Sequence, residues 1–191
     1  MAGKQAKILS QAQIEDLLVF AQRSRHPQRN RVIVLLSVKA GLRAGEIANL
    51  TWDMVLDATG ELGSVIELRD CAAKRQSGRL IPLHSDLADA LSALAAMSCG
   101  VGPVLASERG PALRPISIVN WFANAYRTLG FQGCSSHSGR RTFITRAARR
   151  VHTAGGSLRD VQILAGHRSI QTTQRYIDGD TDAQRRLVAL I

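Results

Sequence analysis

Val65-Ile66-Glu67-Leu68, a polar turn from Lys74 to Gly78, and Arg79-Leu80-Ile81-Pro82-Leu83 form the stretch that decides the fold class. Two short runs rich in β-favouring residues, joined by a turn that ends in Gly, read as a β-hairpin. On both sides of it the pattern is helical. Upstream, Ser10 and Gln13 stand at capping-box spacing ahead of Ile14, Leu17, Leu18 and Ala21, which recur on one helix face. Further helices are expected over 31–40, closing at Gly41, and over 43–50, with Ile47 and Leu50 turned inward. A third strand is expected at 54–56, completing a small sheet. Downstream, helices fit 86–97, 117–129, 139–153, 158–165, 170–177 and 182–190, separated by Gly and Pro residues. The expectation is an α+β fold, mainly α-helical, with a small three-stranded antiparallel sheet.

The chain has 191 residues, of which 45% are hydrophobic, so one domain with a real core is expected and global disorder is not. Lys and Arg number 25 against 15 Asp and Glu, a formal charge of +10. That balance points to a polyanionic partner, nucleic acid before membrane. The apolar run at 32–38 is broken by Ser37, stopped by Lys39 and far too short to span a bilayer. Cys71, Cys99 and Cys134 form no Cys-x-x-Cys pair, so neither a zinc knuckle nor a disulfide framework is indicated, and a cytoplasmic setting fits.

Four separated segments carry unusual polar residues. They are Gly41-Leu42-Arg43-Ala44-Gly45-Glu46, the turn at Lys74, His137-Ser138-Gly139-Arg140, and Leu164-Ala165-Gly166-His167 with Tyr176 nine residues later. Each is weak alone: a helix-start arginine is ordinarily solvated or ion-paired, and a hairpin lysine ordinarily faces water. Together they supply the parts of phosphoryl transfer without metal. Two guanidiniums, Arg43 and Arg140, match the oxygens of a phosphate and can stabilise the charge that builds on it. A tyrosine hydroxyl titrates near pH 10, so Tyr176 needs a proton acceptor, and His137 is a candidate base. Lys74 can protonate the leaving oxygen as a general acid, and His167 can add a hydrogen bond to the phosphate. Asp178, Asp180 and Asp182 alternate, but position 189 is Ala where a calcium loop needs Glu, so no metal is expected.

This order of motifs resembles the active site of the tyrosine recombinase (phage integrase) family. Arg43 sits at the first family arginine, Lys74 at the hairpin lysine five residues before Arg79, and His137 with Arg140 at the His-x-x-Arg pair. His167 sits at the Gly-His position and Tyr176 at the nucleophile. The likeness runs from about residue 10 to 177. It implies a site-specific DNA recombinase that works through a 3′-phosphotyrosyl intermediate, with no cofactor, ATP or required metal. Glu46, one turn after Arg43, is expected to be structural support. Arg75, Arg141 and Arg146 are expected to contact double-stranded DNA, with salt-dependent affinity.

The expected organisation is a basic extension at 1–9, a catalytic domain at 10–180, and a C-terminal helix at 181–191 that packs at home or exchanges between protomers. Arg43 comes so early that the helical DNA-binding domain found ahead of the catalytic one in most relatives is expected to be absent. A monomer in solution, a tetramer on paired DNA sites, accessory proteins and action at the nucleoid follow as expectations. The rival readings are a type IB topoisomerase, which shares the chemistry but relaxes supercoils, and a catalytically silent DNA-binding regulator with the same fold.

Overall fold

The computed structural model describes residues 5–73, 77–108, 110, 112–176, 185, 188, 189 and 191. Helix α1 (Gln11–Gln22) begins at the expected capping box: the Ser10 hydroxyl accepts from the Gln13 amide, and the Gln13 side chain accepts from the Ser10 amide. Its buried face is Ile14, Leu17 and Ala21. The chain ahead of α1 is tied down, with Leu9 buried and its amide donating to Thr142 Oγ1 at 2.8 Å.

Helix α2 (Pro27–Val38) is the centre of the fold. Val32 to Leu36 are fully buried, because α1, α4 and α6 pack around it. A helix enclosed on several sides has no polar stripe. It starts four residues before the expected position, since Pro27 fills the first helical turn, where its missing N–H costs nothing.

Helix α3 (Ala44–Ala48) follows, then a single 3-10 turn (Trp52–Met54). The sheet has two strands, β1 (Val65–Leu68) and β2 (Arg79–Pro82), paired antiparallel with Ile66 opposite Ile81 and Leu68 opposite Arg79. The expected third strand at 54–56 is therefore a correction. The amides of Val55 and Leu56 bond back to Trp52 in the 3-10 turn, and Leu56 bridges only to Leu62. Asp57 Oδ1 folds the chain over immediately afterwards by accepting from Thr59 and Glu61. The amides of this segment are spent on a local turn instead of a ladder with β1.

The remaining helices are α4 (Ser85–Ala95), α5 (Pro115–Thr128), α6 (Ser138–Arg150), α7 (Leu158–Ala165) and α8 (Ile170–Gln174). They lie close to their expected places, although α8 stops short of residue 177. The expected helix at 182–190, the exchange of the C-terminal segment, Asp178, Asp180 and Asp182, and the turn residues Lys74 and Arg75 lie outside the described residues. Among the described residues, no helix is long and apolar enough to cross a membrane.

Two apolar clusters result. The larger is built on α2, α3, β1, α4 and α5; the smaller is Ile144, Ala148, Val151, Val161 and Ala165, between α6 and α7, with Tyr176 packed at its edge.

Candidate active site

Three turns bring the polar residues together. Gly41, in the left-handed region at φ +65°, turns the chain out of α2 so that Arg43 can cap α3. His137 caps α6, placing Arg140 in its first turn. Gly166, at φ +61°, ends α7 and throws His167 back over the helix. An added Cβ at Gly166 would lie 2.8 Å from Arg79 Nη1, so only glycine lets the two segments approach this closely.

Glu46 is the anchor. Its carboxylate is 1% exposed and accepts from Arg43 at 2.6 Å and from Arg79 at 3.0 Å, while the Arg43 amide donates to it at 3.0 Å. Burial alone would raise its pKa, but the hydrogen bonds and charges of Arg79 and Arg43 prevail and hold it down at about 2. Arg79, on the inward face of β2, also donates from Nε to the Leu164 carbonyl at 2.8 Å. The pair therefore ties α3, the hairpin and the end of α7 together.

Arg140 is buried and oriented from two sides of the chain. Nη1 donates to the Gly41 carbonyl at 2.5 Å, and Nη2 donates to the Ala165 carbonyl at 2.6 Å and lies 3.1 Å from His167 Nε2. Burial, reinforced by the Arg43 and Arg79 cations, lowers its pKa to about 10, still well above neutrality. His167 Nδ1 is 3.0 Å from Thr173 Oγ1, and its ring stacks on Tyr176 with centroids 5.5 Å apart. Burial and the Arg140, Arg43 and Arg79 charges push the His167 pKa down to about 4, so the ring is neutral at pH 7. Donation from Nε2 to a phosphate, the role implied by the resemblance, requires that nitrogen to carry the proton instead.

These residues line an open cleft of about 520 Å³. It brings together five of the six expected catalytic residues, Arg43, His137, Arg140, His167 and Tyr176. Lys74, the sixth, is outside the described residues, as is Arg75. Arg141 lines the same cleft, but Arg146 does not: it bonds to the Gln11 side chain and the Leu9 carbonyl, holding the segment before α1 against α6. Arg175 also lines the cleft and was not among the expected residues. The sequence signal for it was its place beside Tyr176. The signal for Arg79 was the two-residue strand period, which sets it on the same inward face as Ile81. Four guanidiniums, two imidazoles and a phenol form a site suited to a phosphodiester anion.

A family model described as the phage integrase family matches residues 7–182. Among curated proteins, tyrosine recombinase XerC of Brucella suis is 28% identical over 158 residues, covering 80% of this chain and 47% of that protein. Tyrosine recombinase XerA of Thermococcus kodakarensis is 30% identical over 173 residues, covering 89% of this chain and 57% of that protein. The chain thus spans about half the length of the curated relatives it matches. The crystal structure of a XerA recombinase superposes with TM-score 0.74 at 24% identity, over 96% of this chain and 64% of that one. The Tn1549 transposon integrase in complex with a circular intermediate DNA superposes with TM-score 0.76 at 20% identity, over 100% and 67%. The fold is that of tyrosine recombinase catalytic domains.

Proposed function

The chain belongs to the phage integrase family, and on that premise we propose that it is the catalytic part of a site-specific DNA recombinase. The observation that carries this reading is the placing of Tyr176, stacked on His167, in one cleft with Arg43 and Arg140. In the proposed reaction the Tyr176 oxygen attacks a backbone phosphorus. The new O–P bond forms as the P–O5′ bond breaks, leaving the 3′-phosphate on the tyrosine and a free 5′-hydroxyl. His137 takes the phenol proton, and Lys74 delivers one to the departing oxygen. Arg43 and Arg140 meet the charge on the non-bridging oxygens, their forks already held by Glu46 and by the Gly41 and Ala165 carbonyls. A second 5′-hydroxyl reverses the step on a new strand. The phosphotyrosyl bond keeps the energy of the phosphodiester, so ATP is not needed.

One cleft handles one strand, so exchange between two duplexes calls for four protomers on paired sites, acting on the nucleoid. The test uses nicked duplexes tiled across the DNA flanking the gene, read on a denaturing gel, because the nick lets the cleaved strand leave and traps the adduct. A covalent adduct is expected with the wild type and none with Tyr176→Phe, whose duplex affinity should stay within about twofold, since only one hydroxyl is lost. Duplex binding without any adduct would favour a silent regulator. An adduct with supercoil relaxation and no strand exchange would favour a topoisomerase.

A further inference from the structure

We propose that Thr173 is a positioning residue for strand cleavage: its hydroxyl accepts the Nδ1 proton of His167 and fixes the ring tautomer whose Nε2 lone pair holds the Arg140 fork. The catalytic consequence rests on the recombinase reading above, whereas the tautomer itself rests on geometry.

Arginine has only donors, so an imidazole nitrogen 3.1 Å from Arg140 Nη2 must be an acceptor. A neutral ring that accepts at Nε2 carries its proton at Nδ1, and the partner of one nitrogen decides the state of the other. That partner is Thr173 Oγ1, at 3.0 Å on a residue with no solvent exposure. Without the hydroxyl, the Nδ1 proton would be buried with no acceptor. The ring would then favour the other tautomer and aim an N–H at the guanidinium, donor against donor. Arg140 would lose one of its three named partners.

Thr173 also belongs to α8, the helix that leads directly into the turn carrying Tyr176. The Tyr176 amide donates to the Thr173 carbonyl at 3.0 Å, and the Tyr176 ring stacks on the same imidazole. One turn of chain thus sets the edge of His167 through a hydroxyl and its face through an aromatic ring. Losing the hydroxyl loosens the phosphate clamp and the nucleophile together, while leaving the cationic surface that attracts DNA unchanged.

The test pairs Thr173→Val, close in shape but without the hydroxyl, with Thr173→Ser, which keeps it. Nitrogen-15 spectra of the His167 ring in the free protein should report the Nδ1–H tautomer in the wild type and in Thr173→Ser, and its loss in Thr173→Val. On the duplex that gives the wild-type adduct, Thr173→Val should slow adduct formation roughly ten- to a hundredfold, the scale seen when the hydrogen-bond partner that orients a metal-bound histidine is removed. Its duplex Kd should stay at the wild-type value, and Thr173→Ser should recover most of the rate. A wild-type proton on Nε2 overturns the assignment, as does wild-type cleavage by Thr173→Val. If Thr173→Val fails to fold, the wild-type spectrum still decides the tautomer and Thr173→Ser the need for the hydroxyl. Absence of any wild-type adduct would count against the recombinase reading, with the spectrum still testing Thr173.

Discussion

Removing the Glu46 carboxylate leaves Arg79, whose side chain is 3% exposed, as a buried cation without its counter-charge. Breaking one side of such a pair costs about 3–5 kcal/mol. Glu46→Ala should therefore destabilise the chain by about that amount in urea denaturation, against about 1 kcal/mol for the exposed cap change Ser10→Ala. Equal losses would mean that the buried pair is no anchor. His167 has a pH signature of its own. Its pKa is about 4 folded against about 6.5 unfolded, so below pH 6.5 the unfolded chain binds more protons. Its contribution is full above pH 6.5, falls as the pH drops toward 4, and amounts to no more than about 3 kcal/mol at 1.36 kcal/mol per pH unit. Glu46 acts lower, between its unfolded value of 4.5 and about 2. Wild-type stability should thus fall from pH 7 to pH 4.5 more steeply than that of His167→Asn, and parallel slopes would rule the effect out. At this scale the sequence displayed Arg43, His137, Arg140, His167 and Tyr176, because their residue types and spacing are unusual. Arg79 and Thr173 stayed hidden, since their work depends on partners 33 and 6 residues away along the chain, and only the fold reveals which way they face.

Helices α2 and α6 cross at Gly139, where an added Cβ would lie 2.2 Å from Ser37 Oγ and 2.9 Å from Ser37 Cβ. Ser37 is short and fully buried, so it has nowhere to retreat. Gly139→Ala should separate the helices and cost about 1–3 kcal/mol by the usual scale of overpacking. It should also reduce cleavage, because Arg140 is the next residue. A fully stable, fully active Gly139→Ala would show that the crossing is loose. Most elements were legible from period and caps, as the capping box at Ser10 illustrates. The two misreadings have local causes. The apolar run at 32–38 marks the middle of α2 but not its start at Pro27, and at 54–56 the amides of Val55 and Leu56 bond back to Trp52 in the 3-10 turn.

For the whole molecule, the proposed reading together with the net charge of +10 and a cleft lined by Arg43, Arg140, Arg141 and Arg175 predicts DNA affinity dominated by phosphate contacts. The logarithm of affinity should fall linearly with the logarithm of salt concentration, by about 0.9 for each phosphate neutralised. Arg175→Ala should reduce that slope by about 1 without changing sequence preference, measured by fluorescence anisotropy over a salt series. An unchanged slope would place Arg175 off the DNA. The order in which the chain is made adds a last consequence. Arg140 is held by carbonyls 99 residues before it and 25 residues after it. A nascent chain on the ribosome therefore cannot assemble the clamp until residue 165 has emerged, and the tyrosine itself comes out later still. On the proposed recombinase reading the enzyme is thus unarmed while it is being made, and any product of interrupted translation that ends before residue 176 lacks the nucleophile.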